Sequence, residues 1–387
     1  MRLDKLWLTD FRSYESAELS FAPGLTAIVG ENGQGKTNLL EAVAWLATLS
    51  SFRGAGNDAL VRAGAEVAIV RAEGDNDGRS VLLEAELGPR RSRVQVNKQR
   101  LARSRDLLGF LRVTVFTPDD LELVKGGPAA RRRYLDDVLV ALHPRYDAVR
   151  AEVDRVLRQR NALLRQVRGR LDESATITLD VFDSKLAVAG DELVRLRVAL
   201  VERLVPAVVQ AYESVAVGAE ARATVALGYQ SAWNGVEGGL AAALATARPD
   251  DLRRGVSTVG PHRDDVGLEV GGLLARTHGS QGEQRSLALA MRLAAHAVVT
   301  DTVGSSPILL LDDIFSELDA RRSSALLASL PAGQVLLTSA AGLPEGADPE
   351  RVMRVRAVDL PAGGVTSTIE RATIEPAIER ATSEQRS

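Results

Sequence analysis

A glycine-rich stretch with a lysine and a threonine offers the clearest chemistry in this chain of 387 residues. Gly30 and Gly35 enclose four residues and are followed directly by Lys36 and Thr37, which is the spacing of a phosphate-binding loop. Glycines let the backbone turn tightly enough for successive N–H groups to point at one phosphate group. The predicted loop comprises Gly30, Glu31, Asn32, Gly33, Gln34, Gly35, Lys36 and Thr37.

The segments on both sides of this stretch fit such a loop. Residues 25–29 form an apolar strand, and a helical pattern begins at residue 38. The helix adds the positive N-terminal end of its dipole to the loop amides. Lys36 is then predicted to reach the β- and γ-phosphates of a nucleotide, and Thr37 to bind Mg²⁺ through its hydroxyl. A glycine turn without a ligand is the alternative.

Two acids end another buried strand. Residues 307–311 form an unbroken apolar run that stops at Asp312 and Asp313. Continuous apolar strands are typical of parallel sheets, whose ligand sites lie at the carboxyl ends of the strands. Asp312 is therefore predicted to hold Mg²⁺, and Asp313 to orient or deprotonate the attacking water. A plain helix N-cap is the alternative.

A second turn could also bind an anion. Ser280, Gln281 and Gly282 stand in front of a long helix that we predict over 285–299. A serine hydroxyl, a glycine backbone and a helix N-terminus together form an anion site. One nucleotide does not need two such sites from one chain, so these three residues are predicted to face the nucleotide of a second subunit in a twofold pair. An ordinary serine-capped helix is the alternative.

The elements that must position these residues are of two kinds. The apolar strands predict an α/β unit with a mainly parallel sheet. Apolar stripes of helical period at 146–167 and 186–204, joined by a short polar link, predict an antiparallel helical hairpin with arms of about 35–40 Å. The segment 367–387 is polar and interrupted by proline, which predicts a disordered tail.

Composition narrows the class of protein. The chain has no cysteine, which excludes disulfides, zinc ribbons and thiol chemistry. A formal net charge of −3 gives no overall attraction to nucleic acid, so such binding must use local patches. Residues 1–5 are too polar for a signal peptide, and no apolar run is long enough to span a bilayer. We therefore expect a cytoplasmic protein without a membrane partner.

Several motifs together resemble those of a known family. The phosphate-binding loop, the 280–284 turn, the strand end at Asp312 and the Ser-Glu-Leu-Asp segment at 316–319 are similar to the ATP-binding-cassette heads of structural-maintenance-of-chromosomes and RecF proteins. Narrower similarity to bacterial RecF comes from the segments 11–14, 118–119, 123–128, 131–136, 160–164, 260–263 and 310–326. From these motifs the chain is identified as a member of the RecF family over roughly residues 1–355.

The resemblance implies a fold and an activity. The fold is an ABC-type P-loop ATPase lobe of residues 1–118 and 300–366, with a helical second lobe of residues 119–299 that contains the hairpin. The activity is weak hydrolysis of ATP with Mg²⁺, coupled to dimerisation on DNA, with Asp313 and Lys36 as catalytic residues. RecR and RecO are implied partners in loading RecA at gaps and stalled forks, in support of recombinational repair and the SOS response.

Departures from related ATPases separate the alternatives. Asp313 stands where cassette transporters carry glutamate, and its shorter reach is consistent with slow hydrolysis. Thr338 and Ser339 stand where transporters carry a switch histidine, and no water-orienting glutamine lies near 113–116. The missing histidine argues against a transporter subunit, and the short hairpin against a long-armed chromosome protein. A small-molecule P-loop kinase leaves the Ser280 turn unexplained.

Three adjacent arginines are the first candidates for DNA contact. Arg131, Arg132 and Arg133 open a predicted helix, where positive charge opposes the helix dipole. A DNA phosphate backbone is one partner that would stabilise them. A solvated helix start or an internal ion-pair cluster explains them equally well. The basic segment 90–105 is also open to two interpretations, a phosphate contact or a solvated hairpin.

Overall fold

The computed structural model describes residues 2–76, 78–89, 92–167, 170–218, 223–340, 342–359 and 365–372. Its strands are β1 (Arg2–Phe11), β2 (Tyr14–Ser20), β3 (Leu25–Val29), β4 (Ala68–Asn76), β5 (Arg79–Leu87), β6 (Arg93–Val96), β7 (Gln99–Arg100), β8 (Val113–Phe116), β9 (Val225–Gln230), β10 (Asp265–Val270), β11 (Leu273–Leu274), β12 (Ile308–Asp312), β13 (Val335–Ser339), β14 (Arg351–Asp359) and β15 (Val365–Ala372). Its helices are α1 (Lys36–Thr48), α2 (Asn57–Leu60), α3 (Glu122–Lys125), α4 (Pro128–Leu142), α5 (Tyr146–Val167), α6 (Glu173–Val215), α7 (Gly239–Arg254), α8 (Ala275–His278), α9 (Gln281–Val303) and α10 (Ala320–Ala328).

The chain divides into two compact units. One consists of Met1–Pro118 with Gly304–Ser387, and the other of Asp119–Val303. The division therefore falls after residue 303, not after the 299 expected from the sequence. Helix α9 continues to Val303 and is followed by Gly304, whose left-handed φ of +76° is typical of a glycine just after a helix end.

Two six-stranded sheets build the first unit. The central sheet has the order β15-β14-β3-β13-β12-β8. Its strands run parallel from β14 to β8, and only β15 is antiparallel, which confirms the expected mainly parallel sheet. The second sheet, β2-β1-β4-β5-β6-β7, is antiparallel throughout. Helix α1 and strands of both sheets share one hydrophobic core, in which Trp45 and Ile28 are buried.

The last strand lies in a segment expected to be disordered. Strand β15 pairs with β14 from Val365 through Ala372, so the prediction of a disordered tail is wrong for residues 367–372. The β-branched residues Thr366, Thr368 and Ile369 favour a strand, and the prediction gave more weight to the polar composition around them. The rest of the expected tail, 373–387, lies outside the described residues.

The second unit contains the expected helical hairpin. Helices α5 and α6 pack together, and Arg160 of α5 donates a 2.6 Å hydrogen bond to Asp183 of α6. Helix α6 has 43 residues and is about 65 Å long, so the second arm is longer than predicted. It starts behind the Asp172 N-cap and passes through Pro206 without ending. In the described part of the chain, no helix is long and apolar enough to cross a membrane.

Candidate functional site

The phosphate-binding loop connects β3 to α1. Gly33 and Gly35 have left-handed φ angles of +78° and +108°, which residues with a side chain rarely adopt. A Cβ atom at Gly30 would lie 2.4 Å from the carbonyl oxygen of Val355 in β14. Both the tight turn and the close approach of a neighbouring strand therefore require glycine in this loop.

The N-terminus of helix α1 has the features of an anion-binding site. Among the described residues, no side chain caps its N-terminus, and its first turn carries no acid. Its first N–H groups and the positive end of its dipole are therefore available to a ligand. The Lys36 ammonium donates to the carbonyl oxygens of Gly30 and Glu31 at 2.7 and 2.8 Å, so it lies across the loop. Burial lowers the pKa of Lys36, against the opposing effect of the two acids at 312 and 313.

Asp312 and the phosphate-binding loop meet, as the sequence predicted. The hydroxyls of Thr37 and Thr338 each donate a 2.8 Å hydrogen bond to Oδ1 of Asp312. The carboxylate is only 7% exposed, and burial raises its pKa, although the two hydroxyls oppose that shift. It forms no ion pair with any described residue, so cations act on its charge only from beyond ion-pair distance. Carboxylate and hydroxyl oxygens are ligands that suit Mg²⁺, and the pair fits such a site.

Asp313 has a strained backbone beside this pair. Its φ of +48° is left-handed, a conformation that costs energy for a residue with a side chain. Its N–H donates to the Thr338 hydroxyl at 3.0 Å, and its carboxylate accepts from the Ala340 N–H at 3.3 Å. It precedes the short 3₁₀ turn Ile314–Glu317, but its side chain makes no capping hydrogen bond there. The plain N-cap alternative therefore does not explain this residue.

Two residues at the Asp312 site were not among the predicted site residues. Thr338 donates to Asp312 through its side chain, although the sequence showed it only as the residue in place of a histidine. The positive charge of Arg53 lowers the pKa of Asp312, so its guanidinium acts on the same carboxylate. Nothing in the local sequence around Arg53 indicated this, because it follows α1 and reaches the site only through the fold.

Strand β15 is hydrogen-bonded to the phosphate-binding loop. The Ser367 hydroxyl donates to the carbonyl oxygen of Gln34 at 2.6 Å, and its Oγ lies 2.8 Å from Oγ of Ser13, whose hydroxyl can donate to it. Asn38 at the start of α1 also donates to Oγ of Ser13, at 2.8 Å. Ser367 is 1% exposed, and a Cβ atom at Gly35 would lie 2.5 Å from its Oγ. The sequence highlighted Ser13 only within a family motif and assigned Ser367 to the tail.

The turn at Ser280 belongs to the second unit and forms a capping box. Oγ of Ser280 accepts a hydrogen bond from the Glu283 N–H at 3.2 Å, and the Glu283 carboxylate accepts from the Ser280 N–H at 2.8 Å. This is the reciprocal pattern of a well-formed helix start, so the serine-capped helix of the alternative interpretation is present. Ser280 and Gln281 are nevertheless exposed, and Gly282 is half-buried. The cap uses the Ser280 hydroxyl as an acceptor and leaves its O–H able to donate.

Comparison with known proteins decides the family. Residues 2–341 match the family model described as the RecF/RecN/SMC N terminal domain. The DNA replication and repair protein RecF of Frankia alni is 47% identical over 88% of this chain and 93% of its own length. The RecF of Streptomyces avermitilis is 44% identical over 88% of this chain and 94% of its own length. The chain belongs to the RecF family.

Solved structures of the RecF family share its fold. A structure described as the recombination mediator protein RecF with ATP in the RecFOR pathway matches at a TM-score of 0.85 and 27% identity, over 96% of this chain and 98% of its own. The Smc head domain of Pyrococcus furiosus, 18% identical, matches over the whole of both chains at a TM-score of 0.56 and shares the fold alone. The ATPase-head fold expected from the sequence is confirmed.

The three arginines of this RecF-family chain have different surroundings. Arg131 is 5% exposed and donates to both carboxylate oxygens of Asp265, at 2.7 and 2.9 Å. Arg132 is half-buried and donates to the carbonyl oxygen of Asp264 at 2.7 Å. Arg133 is exposed. The internal ion-pair interpretation is therefore right for Arg131, whose guanidinium is fully engaged inside the unit and is not available to DNA.

Proposed function

We propose that this RecF-family chain is an ATP-dependent DNA-binding protein of recombinational DNA repair and replication. The observation that carries the proposal is the 2.8 Å hydrogen bond between Thr37 and Asp312. It joins the start of the phosphate-binding helix to the end of a parallel strand, which is the arrangement that a nucleoside triphosphate with Mg²⁺ requires. The names of the relatives and the ATP in the solved RecF structure support it.

The residues of the site have separate roles in this proposal. The amides of residues 30–37 and the Lys36 ammonium bind the phosphates, and Thr37 and Asp312 hold Mg²⁺, which supplies positive charge beside the phosphate oxygens when bound. Asp313 orients the attacking water or takes its proton. Because an aspartate reaches less far than a glutamate, hydrolysis is slow and serves as a switch.

A second copy of the chain completes the proposed switch. Ser280, Gln281 and Gly282 contact the γ-phosphate held by the partner subunit, for which the free O–H of Ser280 and the N-terminus of α9 are suitable donors. ATP binding therefore drives dimerisation on DNA. In the cytoplasm the dimer acts with RecR and RecO to help load RecA at gaps and stalled forks, and so supports SOS induction.

Molar mass in solution tests the switch. We expect the wild-type mass to double when ATP and Mg²⁺ are added, and the Ser280→Arg variant to stay monomeric because its side chain blocks the partner's phosphate. Thr246→Arg, on an exposed position of α7 in the same unit, is the control and should dimerise normally. A wild-type chain that binds ATP and remains monomeric, with or without DNA, would contradict the proposal.

A further inference from the structure

The second unit contains a charged cleft that the proposed nucleotide chemistry does not use. It has a volume of about 450 Å³ and lies between α4, α5, α6 and the loop at Pro261 and His262. Five arginines and three aspartates line it, which leaves an excess of two positive charges. Burial lowers the pKa of His262 to about 4, so this residue is neutral near pH 7 and does not change the count.

Two of the arginines are neutralised inside the cleft. Arg197 donates to both carboxylate oxygens of Asp136 at 2.8 Å. Arg150 donates to Asp147 at 2.7 Å. These paired groups contribute little net charge to a ligand.

The other three arginines form no ion pair with a carboxylate of any described residue. Arg132 is half-buried and donates to a backbone carbonyl. Burial and then the neighbouring Arg197 lower its pKa, whereas the charges of Asp265, Asp264 and Asp136 act in the opposite direction. Arg133 and Arg158 are exposed and form no hydrogen bond or ion pair with any described residue. Among the described residues that line the cleft, Asp154 is the acid without an ion pair, and its pKa is raised by burial, with Arg150 and then Arg158 acting in the opposite direction. Asp137 does not line the cleft, but its charge also acts on Arg133.

We propose that this cleft binds phosphate groups through Arg132, Arg133 and Arg158. A half-buried guanidinium that is not directly paired with a carboxylate is costly, and a phosphate supplies both the charge and acceptor oxygens that match the guanidinium fork. The excess of two positive charges suits one phosphate dianion or two adjacent phosphodiester groups. The phosphate belongs either to a DNA backbone, which rests on the proposed function, or to a small phosphorylated molecule, which does not.

The first test is loss of binding in the double variant Arg133→Gln/Arg158→Gln. Arg155→Gln is the matched control. Arg155 lies on helix α5, as Arg158 does, but it is paired with Glu152 and does not line the cleft. With ATP and Mg²⁺ present, we expect the double variant to bind a short labelled DNA duplex at least tenfold more weakly. The slope of log affinity against log salt should fall by about two units, since each phosphate contact contributes about 0.9. Thermal melting confirms that both variants are folded.

The second test uses inorganic phosphate alone. All chains in this test carry Lys36→Ala, which weakens the anion site of the phosphate-binding loop equally in each chain, and calorimetry measures phosphate binding. We expect the cleft variant to lose binding that the Arg155→Gln chain retains. Asp154→Asn should bind phosphate severalfold more tightly, because it removes a repelling charge, and misfolding cannot produce such a gain.

Together the two tests distinguish a DNA phosphate from a small phosphorylated ligand. They also distinguish failure of the cleft proposal from failure of the proposed function. Loss in both tests identifies a DNA phosphate, and loss of phosphate binding alone identifies a small phosphorylated ligand. A wild-type chain that does not bind DNA contradicts the proposed function, but the phosphate test still decides the cleft. Unchanged phosphate and DNA binding in the double variant would overturn the cleft proposal.

Discussion

Thr37 and Asp312 are separated by 275 positions in the chain, and their side chains are joined by a 2.8 Å hydrogen bond. Thr37 lies in the first turn of helix α1, which follows strand β3. Asp312 ends strand β12, which is separated from β3 in the same sheet by one strand. Strand β13 lies between β3 and β12 and contributes Thr338, which donates to the same carboxylate oxygen. The order of these three parallel strands therefore places the Asp312 carboxylate next to the loop, where two hydroxyls donate to it.

We expect Asp312→Asn to separate stability from nucleotide binding. The amide keeps an oxygen that accepts from both hydroxyls but removes the charge that suits Mg²⁺. ATP affinity should lose its dependence on Mg²⁺, and hydrolysis should fall at least a hundredfold. The melting temperature should stay unchanged or rise, because burial disfavours the charged carboxylate that the variant lacks. Titration of ATP with and without Mg²⁺ checks this, and a Mg²⁺ dependence that survives would contradict the assignment.

Asp313→Asn should leave ATP binding intact and abolish turnover. Asparagine tolerates the left-handed backbone at this position but cannot accept a proton from water. Removal of a general base typically costs a factor of about 10²–10⁴. Steady-state hydrolysis and equilibrium ATP binding should be measured on the same preparation. Equal losses in both would assign Asp313 to binding instead of catalysis.

Ser367→Ala should weaken ATP binding although Ser367 is remote in sequence from the loop. The change removes the hydrogen bonds to Gln34 and Ser13 and leaves the Gln34 carbonyl without its buried donor. We expect a loss of stability of about 1–2 kcal/mol and about fivefold weaker ATP affinity. The control is Thr368→Ala, the next residue of β15, which donates only to the exposed carbonyl of Arg356. Equal ATP affinities in the two variants would show that β15 does not support the loop.

Arg131→Ala should destabilise the second unit without a selective effect on DNA. Removal of one partner from a buried ion pair typically costs about 3–5 kcal/mol, and Asp265 would be left with an unpaired charge. Arg133→Ala should change stability by less than about 0.5 kcal/mol, as is usual for an exposed side chain. Urea unfolding measures both. The double variant Arg131→Ala/Asp265→Ala should be more stable than the arginine variant alone, and a strictly additive loss would argue against the ion pair.

Acidification should destabilise the second unit through its buried histidines. Burial lowers the pKa of His262 and of His296 to about 4, whereas an unfolded histidine titrates near 6.5. As the pH falls from about 6.5 to 4, the unfolded state binds protons first, so stability is lost across this window. Each histidine contributes at most about 3 kcal/mol. Urea unfolding of His296→Gln should show a flatter pH dependence, and an unchanged slope would contradict the assignment.

The sequence by itself determined the phosphate-binding loop, the two acids at the end of a strand and the family. These features are local, because the loop needs a fixed glycine spacing and the acids need only an apolar strand before them. The mainly parallel sheet also followed from continuous apolar runs. Local patterns failed where composition was ambiguous, as in residues 367–372, which pair with β14 although they are polar.

Only the tertiary structure decided which distant groups meet. Thr338 and Arg53 act on Asp312, Ser367 holds Gln34, and Arg131 pairs with Asp265, 134 positions away. No spacing in the chain encodes these contacts, since each depends on strand order or on helix packing. The same reason separates the three adjacent arginines. One turn of helix α4 places Arg131 inside the unit and leaves Arg133 at the surface, and the fold alone determines which face of the helix is buried.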